Sequence, residues 1–281
     1  MINLLDAGFT KLFKSLIYRL AALFCLLYSL FLVATRIIDS ISYPNLPRTT
    51  LDGIISSGPV MLQLLAPVFI SLFIGREYSD QTLRNKISVG HSRMNIYLSN
   101  LIISVVGTLI LYVIYVIPIS IFGYTYFPAF ETPIEKLICV QLIGMVIMIA
   151  VASLYSMLSI LIPNKAVTAV LSLLAAFVIF MFGMLVHVSL EEDRIARGEV
   201  ERDYSILVEE SGEVYKSDSV LSDSERKLFE SIDVTLPSSQ AVNISNSNIP
   251  DKWKKMVVSD IVLTVLTSAA GIIVFRRKDL K

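Results

Sequence analysis

Apolar residues in this chain gather into six runs, near 16–35, 54–75, 97–118, 137–162, 166–188 and 257–275, with almost no charge inside them. A helix needs about 20 residues to cross a hydrocarbon layer of about 30 Å, and each run approaches or exceeds that length. Backbone groups in lipid find no water, so such runs fold as helices that close their hydrogen bonds internally. The pattern predicts an all-α integral membrane protein with six transmembrane helices. A hydrophobic share of 54% and a mean hydropathy of +0.69 agree.

Polar positions punctuate these runs. Ahead of the first, Ile2, Leu5, Phe9, Leu12 or Phe13, and Leu16 recur at steps of three and four, with Asn3, Asp6, Thr10 and Lys14 opposite. That stripe predicts an N-terminal helix lying in the membrane interface. The second run carries Pro59, Gln63 and Pro67. Proline removes a backbone donor, so this span is expected to kink or to begin irregularly. Irregular backbone is tolerated beside protein or a water-filled cavity. The three residues are therefore candidates for lining a pathway, although a structural kink accounts for them equally.

Residues 76–96 predict a short helix between spans two and three. Ser79 is its expected cap, Asp80 suits the positive N-terminus, Lys86 lies near the end and Gly90 closes it. Leu83 and Ile87, four apart, give it an apolar face, and Ser92 is the expected cap of span three. Aromatics from Tyr112 to Phe130, including Tyr126 and Phe127, read as a belt at the membrane–water boundary. Thr132-Pro133-Ile134-Glu135 predicts a capped start for span four, with proline at the first helical position. Pro163-Asn164-Lys165 predicts a tight turn into span five.

The segment 189–256 differs in character, with 15 acidic and nine basic residues, a net of −6. Residues 191–202 are expected to continue span five, and residues 205–215 to form a hairpin. Ser222 and Glu225 form a capping-box pair opening a helix to about Ile232. The segment reads as a small folded extracytoplasmic subdomain, with Trp253 marking the return to the membrane. The chain thus divides into a membrane portion at 1–188, this segment, and a last span with its tail at 257–281. No internal repeat of useful length is visible.

Little chemistry is encoded. Cys25 and Cys139 both lie within spans and read as packing residues. The histidines, His91 and His187, are too far apart for a zinc-binding pair on one helix. Gly53 and Gly58 have the spacing of a phosphate-binding loop, but Pro59-Val60 follows where Lys-Ser/Thr is needed. No catalytic, cofactor-binding or metal-binding residue is assigned, and the chain is not read as an enzyme. Ion-coupled carriers keep ionisable groups at membrane depth. Here Arg19 and His187 fall near span ends, and Asp260 reads as complementing the dipole of the last helix. Energy for any transport is expected from a partner.

One stretch resembles a known family. Glu77, the run from Asp80 through Thr82-Leu83-Arg84 to Lys86 and Ile87, and then Ser92-Arg93 and Ile96-Tyr97-Leu98, are similar to the corresponding stretch of type-2 ATP-binding-cassette (ABC) permeases. The closing Val274-Phe275-Arg276-Arg277-Lys278-Asp279-Leu280 resembles the usual ending of that family. Gln81 departs from it, standing where members often have glycine, and so does Gly90-His91, where many have proline nearby. The resemblance implies that residues 77–90 form a coupling helix docking on a separate ATPase subunit. Leu83 and Ile87 would be apolar anchors, with Glu77, Asp80, Arg84 and Lys86 as oriented charges. It further implies two ATPase subunits, a second permease subunit, identical or related, and export of amphipathic peptides, drugs or lipids. The lipid bilayer is the other expected partner; no nucleic acid is. The alternative is a membrane-anchored sensing or binding protein acting through the segment 189–256.

Charge distribution adds a topology. Twelve basic residues against four acids fall on one side if both termini are cytoplasmic, whereas the two short loops opposite hold only Arg36, Arg48 and Lys136. This asymmetry fits the positive-inside rule for a multi-pass protein of the cell membrane. A reporter fused after Lys281 is expected to be active in the cytoplasm and silent outside, measured with a paired cytoplasmic and extracytoplasmic reporter set.

Overall fold

The computed structural model describes residues 1–42, 50–125, 130–199 and 221–278. Tyr126, Phe127, the expected hairpin at 205–215 and residues 279–281 lie outside the described residues. The described residues form helices joined by turns, with no strand among them: α1 (Ile2–Lys14), α2 (Leu16–Ser42), α3 (Asp52–Ser56), α4 (Gly58–Ser79), α5 (Thr82–Ser88), α6 (Arg93–Thr125), α7 (Ile134–Leu161), α8 (Lys165–Ala196), α9 (Asp223–Thr235), α10 (Pro237–Ile244) and α11 (Trp253–Arg277). Six of these units are long and apolar enough to span a membrane, α3 and α4 counting as one.

Burial separates inner from outer spans. In an 18-residue apolar stretch of each span, 67% of the α3–α4 residues are buried, against 28%, 22% and 17% for α2, α8 and α11. Helix α4 packs on α7 and α8, and α7 packs on α11 and α6, so α4 and α7 form the centre. The peripheral helices turn Leu23, Leu27 and Phe31 of α2, Leu174 and Phe177 of α8, and Val262 and Leu266 of α11 outward. Side chains like these suit a lipid solvent.

Lipid tails provide no hydrophobic drive between helices, so close packing and hydrogen bonds hold spans together. A side chain at Gly144 would meet the Tyr112 hydroxyl at 2.5 Å and Pro59 at 3.0 Å, so glycine lets α4, α6 and α7 converge. A side chain at Gly271 would overlap the Tyr97 ring. Ser153 of α7 bonds the Thr267 hydroxyl at 2.6 Å and the Ser268 hydroxyl at 3.2 Å, joining α7 to α11.

Local expectations meet the structure unevenly. The second span does begin irregularly, breaking at Ser57 between α3 and α4, with Pro59 in the first turn and Pro67 inside the helix. Helix α1 forms, but it buries Leu4, Gly8 and Leu12 and leaves Ile2 and Phe13 exposed. The inward stripe is therefore offset from the one read in sequence, because Gly8 lets α1 press against Ile103 of α6. Ser79 does not cap α5: α4 runs on to Ser79, whose hydroxyl turns back to the Gly75 carbonyl at 3.3 Å. Thr132 does not cap α7 either. Asp52 takes the backbone N–H groups of Glu131 and Thr132 instead, at 3.0 and 3.4 Å.

Other signals are realised closely. Asn164 accepts from Ala166 and Val167 to start α8, and Ser222 and Glu225 make the reciprocal box that opens α9. That helix runs to Thr235, beyond the expected Ile232. Helix α8 stops at Ala196, short of residue 202, where Gly198 turns left-handed at φ 72°. Replacing Gly144 by leucine overpacks the α4–α6–α7 junction, costing about 1–3 kcal/mol. A lowered thermal midpoint in detergent, with the other helix-packing glycines intact, is the expected result.

Candidate functional site

Helix α4 continues past its apolar stretch and carries Glu77 inward, where it is 1% exposed. Its carboxylate accepts from Lys86 of α5 at 2.7 Å, Asn100 of α6 at 2.8 Å and Lys11 of α1 at 3.5 Å. Its backbone carbonyl accepts from the Thr82 hydroxyl at 3.1 Å. One residue thus ties four helices. A buried charge this well surrounded is stable where a lone one would not be.

The turn into α5 explains the geometry. Gln81 adopts φ 55°, a left-handed conformation that costs a non-glycine residue about 1 kcal/mol, and it folds α5 back beneath α4. Leu83 enters the main core at 1% exposure, and Ile87 packs against that core half-buried. The helix then closes on Gly90 at φ 95°, with Gly90 N–H donating to Ile87 and His91 N–H to Lys86. This is the paired C-terminal motif that glycine favours. Ser92 caps α6 through Asn95 N–H at 3.2 Å, as expected.

Of the six residues assigned to a docking surface, Glu77, Leu83, Lys86 and Ile87 therefore point into the protein. The left-handed turn makes them anchors of α5 rather than its exposed face. Asp80 and Arg84 remain at the surface, together with Asn85, Ser88 and Val89. Asp80 also stands 3.6 Å from Arg76, one turn earlier. A cleft of 680 Å³ opens beside this end, lined by Leu72, Ser79 and residues 163–166.

Two cations fasten the same end. Arg93 donates to the carbonyls of Phe275 at 3.3 Å and Arg276 at 3.2 Å, and to that of Lys278. Lys278 donates to the carbonyls of Ile160 at 2.9 Å and Leu161 at 3.0 Å, and to the Tyr78 hydroxyl. The final carbonyls of α7 and α11, which have no partner inside their own helices, are satisfied this way. Burial lowers the Lys278 ammonium from its ordinary value.

The three pathway candidates share one buried face of α4. Pro59 lies against Gly144 of α7. Gln63 donates to the Pro237 carbonyl at 2.9 Å, so it meets α10, a helix that nothing in the sequence announced. Helix α10 wedges among α4, α7 and α8 with Ser238, Ser239 and Gln240 fully buried, and Ser238 donates to the Ile179 carbonyl at 2.9 Å. Around it, Asp233 accepts from Asn243 at 3.0 Å and from Ser239, with His187 at 3.5 Å. Burial pushes the Asp233 carboxyl up, but His187 and Ser239 outweigh it and hold the group below its usual range.

Asp260 departs from its expected role. The last helix starts at Trp253, which puts Asp260 two turns inside, and at 1% exposure it does not complement a helix terminus. Sequence reasoning also missed Lys11 and Asn100. Their signal was the buried acid itself, which requires donors at the level where α1 and α6 cross it. Comparison with known proteins gave no match to a family model, a curated protein or a solved structure.

Truncating Glu77 to alanine leaves Lys86 and Asn100 without their acceptor, a loss of about 3 kcal/mol for a buried pair. Faster proteolysis between residues 79 and 92, with a lowered thermal midpoint, is the expected outcome for Glu77→Ala. Glu77→Gln is expected to lie between it and the parent protein.

Proposed function

We propose that this chain is the six-span permease subunit of an ATP-driven transporter of the type-2 ABC kind. It works with a second permease subunit, identical or related, and with two ATPase subunits that carry out hydrolysis. The observation supporting this most is the mounting of α5. A short helix is held rigidly to α1, α4 and α6 through Glu77, so force applied to its exposed face passes to several helices at once. A loosely hinged loop could not transmit such a push.

In this reading the protein lies in the cell membrane with both termini and α5 in the cytoplasm. Helix α1 rests in the interface, and α9 with α10 forms the extracytoplasmic subdomain between spans five and six. Asp80 and Arg84 are the charges presented to an ATPase groove, and the adjoining 680 Å³ cleft is part of the same surface. Pro59, Gln63 and Pro67 face the pathway when α10 withdraws. The Gln63–Pro237 bond then belongs to a closed outer end.

Export of amphipathic molecules fits the remaining surface. A 420 Å³ cleft between α2, α4 and α8 is walled by Phe24, Leu64, Val68 and Phe180, with the hydroxyl-bearing Tyr28 and Ser57 among its lining residues. Apolar walls with a few polar groups suit peptides, drugs or lipids better than ions.

Gentle solubilisation of the native membrane is expected to co-purify a nucleotide-hydrolysing subunit with this chain. Asp80→Lys and Arg84→Glu are expected to lose that companion and ATP-dependent transport while the permease stays folded. Repeated isolation with no ATPase, or full transport by both variants, overturns the reading.

A further inference from the structure

Helix α4 belongs to the most buried span, and the residues it leaves uncovered are ordered. Between Gly58 and Gly75, only Val60, Met61, Leu64, Leu65, Val68 and Leu72 are less than fully buried, and none of them is exposed. At 3.6 residues per turn they fall within an arc of about 140°, so they form one recessed stripe. The first five line the 420 Å³ cleft between α2 and α8, and Leu72 lines the 680 Å³ cleft at the α5 end. Val68 and Leu72 stand one turn apart on this face. The two clefts are therefore successive stretches of one furrow.

The furrow ends on a cation. Gly75 lies on the same face, and a side chain there would meet the Lys165 Cα at 3.0 Å, so glycine admits the turn into α8 at this point. Lys165 is half-buried and lines the lower cleft with Ser79 and Asn164. Asn164 spends its side-chain oxygen on the N–H groups of Ala166 and Val167. Other cations at this end are engaged: Lys11 and Lys86 hold Glu77, while Arg93 and Lys278 hold helix ends. Among the described residues Lys165 has no such partner, and no carboxylate lines either cleft.

Each part of the furrow selects against other occupants. A peptide carries backbone N–H and C=O groups, for which the apolar stripe offers no side-chain partner. A methylene chain needs none, and a recessed stripe receives it more readily than a second helix about 10 Å across. A zwitterionic headgroup brings an ammonium that would face Lys165 and find no acid. An anionic headgroup leaves its phosphate charge to the lysine. Length agrees as well. Gly75 to Val60 is about 22 Å of helix, and one leaflet contributes about 15 Å of hydrocarbon.

We infer that the furrow binds an anionic glycerophospholipid of the leaflet on the α5 side, its phosphate on Lys165 and one acyl chain along the α4 stripe. Lipid is thus singled out among the molecules proposed for the upper cleft, and that cleft alone is shared with the proposal above. Binding rather than transport is assigned, and it needs no ATPase. Asp80 and Arg84 are not among the residues that line the lower cleft.

The test uses the full chain, purified without an ATPase in mild detergent and stripped of lipid. Phosphatidylglycerol and phosphatidylcholine with identical acyl chains are added in turn, and native mass spectra and thermal midpoints are read. Phosphatidylglycerol is expected to stay as one adduct per chain and to raise the midpoint, and phosphatidylcholine to do neither at the same concentration. Lys165→Gln is expected to weaken retention about fivefold. Lys165→Arg is expected to keep it, and Lys14→Gln, at an exposed cation of α1, to leave it unchanged. Val68→Trp, which fills the furrow at its middle, is expected to lose the adduct. Equal retention of phosphatidylcholine, equal loss in Lys14→Gln, or full retention by Lys165→Gln overturns the inference. So does inorganic phosphate that raises the midpoint as far as the lipid does, which would assign Lys165 to a free anion. A Val68→Trp chain that keeps its lipid but loses a second copy assigns the stripe to an interface between copies, and overturns it too.

Discussion

Every backbone polar group that this chain carries into an apolar surrounding has to be satisfied within the protein. That constraint governs the ends of its helices more than their middles. Inside a span, the backbone closes its own hydrogen bonds. At the ends, partners come from elsewhere: Asp52 serves the backbone ahead of α7, Asn164 opens α8, and Arg93 and Lys278 take the last carbonyls of α11 and α7. Long-range side-chain bonds to backbone therefore set how the six spans stand against one another. Apolar surface, which lipid accepts as readily as protein does, sets little of it.

The same constraint explains why α4 and α7 are central. Prolines, glycines and hydroxyl side chains leave backbone groups or small gaps that lipid cannot fill. Helices rich in them move inward, where Tyr112 can fill the space at Gly144 and Gln63 can reach a carbonyl. Helices α8 and α11 turn Leu174, Phe177, Val262 and Leu266 outward, where lipid can cover them. The resulting bundle has a polar, finely fitted interior and an apolar rim.

The six spans were plain in the sequence because their length and purity of composition admit one interpretation. Local caps with two-residue logic, at Asn164 and at Ser222 with Glu225, were equally legible. Ser79 and Thr132 were not. A longer α4 consumed the first as ordinary helix, and α7 starts with Pro133, not Thr132, at its N-cap position. Glu77 was found but given the wrong direction, because spacing within α5 says nothing about a left-handed residue at Gln81. Helix α10 was invisible for a different reason. Pro237 to Ile244 is short and polar, and its burial depends on a niche built by three spans far away in sequence.

The grip of Lys278 on Ile160 and Leu161, and of Arg93 on residues 275–278, has a consequence for biosynthesis. Residues 275–278 leave the ribosome after all the preceding spans have been handed to the membrane. Until then α7 keeps bare carbonyls at its terminus, and Arg93 has nothing to hold. The nascent bundle stays partly unlatched until residues 275–278 arrive.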